Sequence, residues 1–231
     1  MSYTSLCFSL FFVIFSVVSS RYFSANDNFA VPYQYLKLVL QWQPSVCSVP
    51  RVNCPVPPSP NFTIHGLWPS NYSDRYSQPS YCTKEQFNLS QLPRNLQQDM
   101  YAYWPDVIRN QSEKFWEHEW AQHGTCSVMT QKYYFNFTVT TTKDQKYNLL
   151  SFLEEEGISP NNSRTVDTRL VKAAIEKHIK KHPGLRCVPK KGQGGQYQLN
   201  EVVLCFNETK VLIDCVDSYD SNCRGPILFS E

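Results

Sequence analysis

Apolar and polar positions alternate most cleanly near the start of the chain, in YLKLVLQW. Leu36, Leu38, Leu40 and Trp42 share one face, and Lys37, Val39 and Gln41 share the other, the period of a strand. FTIHGLW predicts a second strand, ended by Pro69. Between them, CSVPRVNCPVPPSPN is a proline-rich loop that a short Cys47–Cys54 bridge would pin. NLQQDMYAYW then places Leu96, Met100, Tyr103 and Trp104 at helical spacing, with Pro105 as its end. Ser112 is positioned to cap the next helix, which carries EKFWEHEWAQHGTCS and which Gly124 stops. YNLLSFLEEEG predicts a short helix stopped by Gly157, and TRLVKAAIEKHIKKHPG an amphipathic one stopped by Pro183. NEVVLCFNETKVLIDC reads as two strands around an Asn-Glu-Thr turn, with Cys205 and Cys215 facing across it. There is no internal repeat and no linker long enough to divide domains. Helices mixed with strands that do not alternate regularly with them predict a single α+β domain rather than a wound α/β sheet.

Composition adds a compartment to this picture. Leu6 to Val18 is an apolar run of signal-peptide length, too short for a membrane span, and Val18 and Ser20 suit cleavage after Ser20. The expected domains are therefore a signal at 1–20 and a mature domain at 21–231; a buried strand or an uncleaved anchor is the plainer reading of that run. No later segment is long and apolar enough to serve as a membrane anchor. Of nine cysteines, Cys7 falls in the leader and the rest form an even set, which reads as a disulfide framework in a secreted chain. Glycosylation sequons at Asn61, Asn71, Asn88, Asn110, Asn136, Asn161 and Asn207 point the same way. The formal net charge is +2.

The densest chemistry lies in EKFWEHEWAQHGTCS, which holds two of the five histidines. A zinc-protease helix needs its histidines at i and i+4, about 40° apart on the helical wheel; His118 and His123 are at i+5, about 140° apart, so they cannot clamp one ion as that motif does. The same helix places Phe115, His118, Glu119, Gln122 and His123 in one stripe and Trp116 and Trp120 on another face. A solvated face anchored by tryptophans is the plain reading, but exposed faces favour Lys and Glu. His65, in NFTIHGLWPS, is the partner candidate; read alone, it is a core histidine of an apolar strand. Two imidazoles supply what RNA cleavage by its own 2′-OH requires: one takes the hydroxyl proton and the other protonates the leaving 5′ oxygen. No GxSxG nucleophile elbow is present, and the even cysteine count disfavours a thiol protease.

FTIHGLWPS and FWEHEWAQHGTC resemble the two active-site segments of the T2 family of secreted ribonucleases, in order and spacing. The resemblance extends through the cysteines over the whole mature chain. It implies a central antiparallel sheet flanked by helices, and cleavage of single-stranded RNA through a 2′,3′-cyclic phosphate with no metal and no cofactor. It implies His65 as general acid, His123 as general base, Glu119 as the carboxylate at the transition state and His118 as a phosphate-binding imidazole. Trp68, Phe115 and Gln41 are similar to cleft and substrate contacts, Gln122 stands beside the phosphate, and Val107 and Ile108 fall where the family lines a base site. The implied bridges are Cys47–Cys54, Cys82–Cys126, Cys187–Cys223 and Cys205–Cys215.

One departure stands out: the family usually has Lys where this chain has Gln122, so an N–H donor is kept and a cation lost. The lone Cys54 in NCPVPPSPNFTIHGLWP, the sequon before IHGLWP, and a pI near 8.0 are similar to the plant self-incompatibility ribonucleases of the pistil. That resemblance implies an extracellular monomer, with pollen-side recognition proteins as partners beside RNA. An S-like ribonuclease for phosphate recycling or defence is the alternative. A secreted recognition glycoprotein that has lost catalysis is the alternative of another class. Lys177, Lys180, Lys181, Arg186, Lys190 and Lys191 form a basic tract that either attracts RNA phosphate or is a solvated face, with His178 and His182 as surface residues.

Overall fold

The computed structural model describes residues 33–72, 78–192, 194–216 and 222–231. The signal-peptide reading of 1–20 lies outside the described residues. The predicted first strand is β1 (Tyr35–Trp42), followed by a short helix α1 (Gln43–Cys47) and β2 (Phe62–Ser70). Three helices come next: α2 (Arg94–Tyr103), α3 (Ser112–Gln122) and α4 (Gln131–Lys143). Then follow α5 (Leu149–Glu155), β3 (Asn161–Asp167), α6 (Thr168–Ile179), β4 (Gly184–Pro189) and β5 (Tyr197–Asn207). β6 (Leu212–Ile213) and β7 (Pro226–Phe229) complete the chain. The sheet runs β2-β1-β5-β7-β3, with β4 and β6 also paired to β5. Its pairs are antiparallel except where β7 meets β5, at Gln198 and Leu228. This is the expected α+β architecture.

The alternation in β1 sorts its side chains as the sequence implies. Leu36, Leu38, Leu40 and Trp42 are fully buried with Leu67, Leu204 and Phe206 against the helices, which contribute Met100, Trp104, Trp116, Trp120, Tyr134 and Phe135. The other face is not simply solvated. Tyr35, Val39, Val203 and Cys205 form a second small cluster, and Trp68, Ile213 and Cys215 pack on it. The four bridges of the implied pairing are all present, with Cα atoms 5.0 to 5.5 Å apart.

Several boundaries differ from expectation. Pro69 does not end β2; it sits within it, opposite Leu36. β2 is at the sheet's edge, the kind of strand in which a sheet tolerates proline. Ser112 does not cap α3 but is its first residue, and its hydroxyl accepts from the Asp106 N–H at 3.1 Å. α6 stops at Ile179 rather than at Pro183. Lys180 turns left-handed at φ 56°, its N–H bonds to Glu176 O and its ammonium reaches the Lys177 carbonyl. Gly124 does not stop α3 by its backbone either: the chain continues into a 3₁₀ turn, Gly124–Cys126. Gly124 makes room instead, since a Cβ there would lie 2.3 Å from the Trp120 ring. Gly157 does act as the stop of α5, at φ +73°.

Candidate active site

The site begins with an irregularity in β2. Val39 pairs with Gly66, but Leu40 pairs with Ile64, so His65 is the extra residue of a β-bulge. A bulge re-aims its side chain and leaves its carbonyl outside the ladder. Trp104 closes that gap: its indole N–H donates to the His65 carbonyl at 2.9 Å, and Trp116 in turn donates to the Trp104 carbonyl at 2.7 Å. Tyr134 donates to the Leu67 carbonyl two residues on. The aromatic face of the helical layer therefore holds the edge strand by its backbone.

α3 crosses this strand with its polar stripe inward. Trp116 and Trp120 enter the core while Glu119, also buried, stays on the site side. Its Oε2 accepts from the Trp68 indole at 3.0 Å. Gly66 is what admits it, because a Cβ at 66 would lie 2.0 Å from that oxygen and 2.4 Å from the indole nitrogen. The Trp68 ring is 5.0 Å from His65 and 5.2 Å from His123, and Phe115 is 5.9 Å from His65. His65, Glu119 and His123 are thus gathered around one indole. Gln41, Val107, Ile108, Phe115 and His118 join His65 and Glu119 in lining a cleft of about 290 Å³. Asp106 shapes its rim by accepting from the N–H groups of Ile108, Arg109 and Gln111. A larger hollow of about 620 Å³, bordered by Asn61, Thr63, Tyr103 and Lys143, contains no such pairing of acid and base.

Electrostatics divides the two imidazoles. Burial alone would lower the His65 pKa, but the Glu201 carboxylate, 2.7 Å from Nδ1, and Glu119 outweigh it and raise the value above the ordinary 6.5. For His123, burial and the nearby charges of His65, His118 and Lys37 all act the same way, and its pKa falls to about 3. The two imidazoles are thus driven in opposite directions, the kind of separation that an acid and a base need. Burial also lifts Glu119 to about 7, against the pull of His65 and Trp68.

A model of the Ribonuclease T2 family matches residues 33–215. The chain belongs to the Ribonuclease T2 family. The intracellular ribonuclease LX of Solanum lycopersicum is 35% identical over 205 residues, covering 85% of this chain and 84% of its own. Ribonuclease S-6 of Nicotiana alata is 34% identical over 213 residues, 88% of each chain. The crystal structure of RNase NT in complex with 5′-AMP superposes with a TM-score of 0.77 at 30% identity, over 86% of this chain and 98% of that one.

Not every expected contact of this ribonuclease converges. Gln122 ends α3, where its carbonyl accepts from the Tyr81 N–H; among the described residues its side chain makes no hydrogen bond. The basic tract is spread over α6, β4 and the loops, and half of it is paired with carboxylates: Lys177 with Glu156, Lys181 with Asp214 and Arg186 with Glu201, while Lys190 bonds Asn162 and Ser230. That favours the structural reading of the tract. His178 is not a plain surface residue, for it stacks on Phe152 at 4.2 Å. Glu201, by contrast, escaped the sequence reading entirely. It lies 136 residues from His65, inside the strand pattern NEVVLCF, and its only signal is a carboxylate among residues of a buried strand.

Proposed function

We propose that this T2 ribonuclease cleaves single-stranded RNA in two steps, with His123 as the first base and His65 as the first acid. The supporting observation is the divergence of the two imidazoles around Trp68. Neutral His123 takes the 2′-OH proton as the 2′ oxygen attacks phosphorus. Charged His65 gives its Nε2 proton to the 5′ oxygen as the P–O5′ bond breaks, leaving a 2′,3′-cyclic phosphate. Water then opens the ring with the two roles exchanged. Glu119, about half protonated at pH 7, steadies the phosphorane from beneath, and His118 faces the phosphate from the cleft. Gln41, Val107, Ile108, Phe115 and Trp68 contact the nucleotide; that RNase NT forms a complex with 5′-AMP supports nucleotide binding by this fold. In this reading the mature enzyme follows a signal at 1–20, with sugars on its exposed sequons.

Measuring cyclic-phosphate ends released from single-stranded RNA tests the reading. His65→Ala and His123→Ala each lower the rate by about 10²–10⁴-fold. Undiminished activity in either would remove that residue from the mechanism, and undiminished activity in both the site assignment. Cyclic-phosphate release by the natural protein also separates it from a recognition glycoprotein without catalysis.

The biological role we favour is that of the pistil determinant of self-incompatibility, acting outside the cell on pollen RNA. The likeness to Ribonuclease S-6 and the motifs around Cys54 and Asn61 support it. The comparable likeness to the intracellular ribonuclease LX favours a recycling role instead. Transcript confined to the style supports the first, and transcript in phosphate-starved leaf the second.

A further inference from the structure

Glu201 lies outside both active-site motifs, yet it makes the shortest polar contact to His65. β1 runs between the two strands concerned, so their backbones stand about two strand spacings, roughly 10 Å, apart. Their side chains meet across the face of β1, where Gln41 is the register partner of Glu201. The bulge at His65 is what frees the imidazole for this reach. Glu201 is 2% exposed, and Arg186, directly opposite it on β4, places Nη1 3.3 Å from its second oxygen. A carboxylate buried this deeply is tolerated when its charge is paired and its oxygens are bonded. Here one oxygen faces the imidazole and the other the guanidinium, so three strands, β2, β5 and β4, contribute one member each to a continuous chain of charge.

We infer that Glu201, held by Arg186, is a positioning residue for catalysis: it fixes the proton on His65 Nδ1 and keeps the ring charged, so that Nε2 is the nitrogen that delivers its proton to the leaving oxygen. The inference rests on His65 being the first-step acid. The other charged groups around His65 do not replace Glu201. Glu119 approaches from α3 but is only partly ionised near neutrality, while Arg186 favours the uncharged ring. Burial works against Glu201's own ionisation, and His65 and Arg186 together overcome it, holding its pKa below the ordinary carboxylate value.

The experiment is the pH profile of kcat/KM on a dinucleotide for the natural enzyme, Glu201→Gln, Glu201→Asp and His65→Ala. Glu201→Gln keeps an acceptor for Nδ1–H but removes the charge. We expect the alkaline limb to move down by ~1–3 pH units and kcat to fall roughly 10- to 100-fold, part of the ~10²–10⁴-fold that a positioned general acid contributes. KM stays near its natural value. Glu201→Asp retains the charge and keeps the alkaline limb in place even where its kcat is reduced. A purely structural Glu201 would lower kcat in both variants without moving the limb, and that result overturns the inference. Should Glu201→Gln not fold, NMR titration of His65 in the natural enzyme decides: a value above 6.5 with Nδ1 protonated supports it, and one at or below 6.5 overturns it. An inactive His65→Ala with an unmoved limb in Glu201→Gln defeats only the role of Glu201, whereas an active His65→Ala defeats the site reading itself.

Discussion

In the proposed reaction, Gln122 is the neutral residue that the family resemblance sets beside the phosphate, where negative charge gathers. Deleting a preorganised donor outright costs about 10²–10³-fold in rate, so adding a charge to a donor already present gains less. The gain is reduced further because a cation already stands nearby. Lys37 faces Trp68 across the β1–β2 ladder with its ammonium 6.0 Å from the ring, and its charge helps to hold His123 neutral. Burial lowers the Lys37 pKa to about 8, so at pH 7 it remains mostly charged. Gln122→Lys is therefore expected to raise single-turnover cleavage by less than about 10-fold, and by more once Lys37 is replaced by Met. Equal gains in the two backgrounds would show that the charge of Lys37 does not act on the reacting phosphate. Gln122 could be found in the sequence because it interrupts a motif. Lys37 and Glu201 could not: each reads as the polar half of a strand, and only pairing of β1 with β2 and β5 reveals what they face.

Among the elements, β2 was legible in its chemistry and only partly in its shape. FTIHGLW marks it as a strand, but nothing in those letters says that His65 is the bulged residue or that Trp104 supplies its carbonyl with a donor. Trp104→Phe keeps the ring in the core and removes that one hydrogen bond. We expect a loss of about 1–3 kcal/mol in stability, the usual consequence of leaving a buried carbonyl unpaired. We also expect a fall in kcat of about 10-fold or more, since displacements near 1 Å can cost about 10². Thermal melting and kcat measured together separate the two: lost stability at unchanged kcat would mean that the bulge keeps its geometry without the indole. α4 shows why other elements stayed hidden. QKYYFNFTVTTTK is rich in β-branched and aromatic residues, which favour strands. It is helical because Tyr134, Phe135 and Val139 are buried in the core; Thr138, Thr140 and Thr142 return their hydroxyls to carbonyls four residues back, which satisfies those hydroxyls without itself favouring the helix. Tertiary burial overrides propensity there, and no local signal records it. α2, α5 and α6 were readable because period and burial agree in them.

At the scale of the molecule, the active site is a place where the fold carries charge it would be more stable without. Glu119 is the clearest case, being fully enclosed between Gly66, Trp68 and the helical core. Its pKa is raised from 4.5 to about 7. In the unfolded chain it ionises near 4.5, in the folded one near 7. Between those values the native state binds more protons, so this group's contribution to stability declines as pH rises and reaches its full cost above about 7. His123 has the opposite sign. Its folded value of about 3 lies below the ordinary 6.5, so the stability it contributes is present above 6.5 and is lost as pH falls toward 3. The pair formed by His65 and Glu201 weakens at both ends, when Glu201 takes a proton in acid and when His65 loses one in alkali. Glu119→Gln separates stability from catalysis. The amide oxygen can still accept from Trp68, and the charge that burial penalises is gone. We expect it to stabilise the fold at pH 8 by on the order of 1–3 kcal/mol, or several °C in Tm for a chain of this size, and to have almost no effect at pH 4, where the natural Glu119 is already neutral. Cleavage should fall by about 10² or more in the same variant. Melting curves at the two pH values, read beside the rate at pH 7, check this. A Tm gain equal at pH 4 and pH 8 would mean that packing rather than charge separates the two side chains, and a loss at pH 8 that Glu119 is ionised in the fold at no cost.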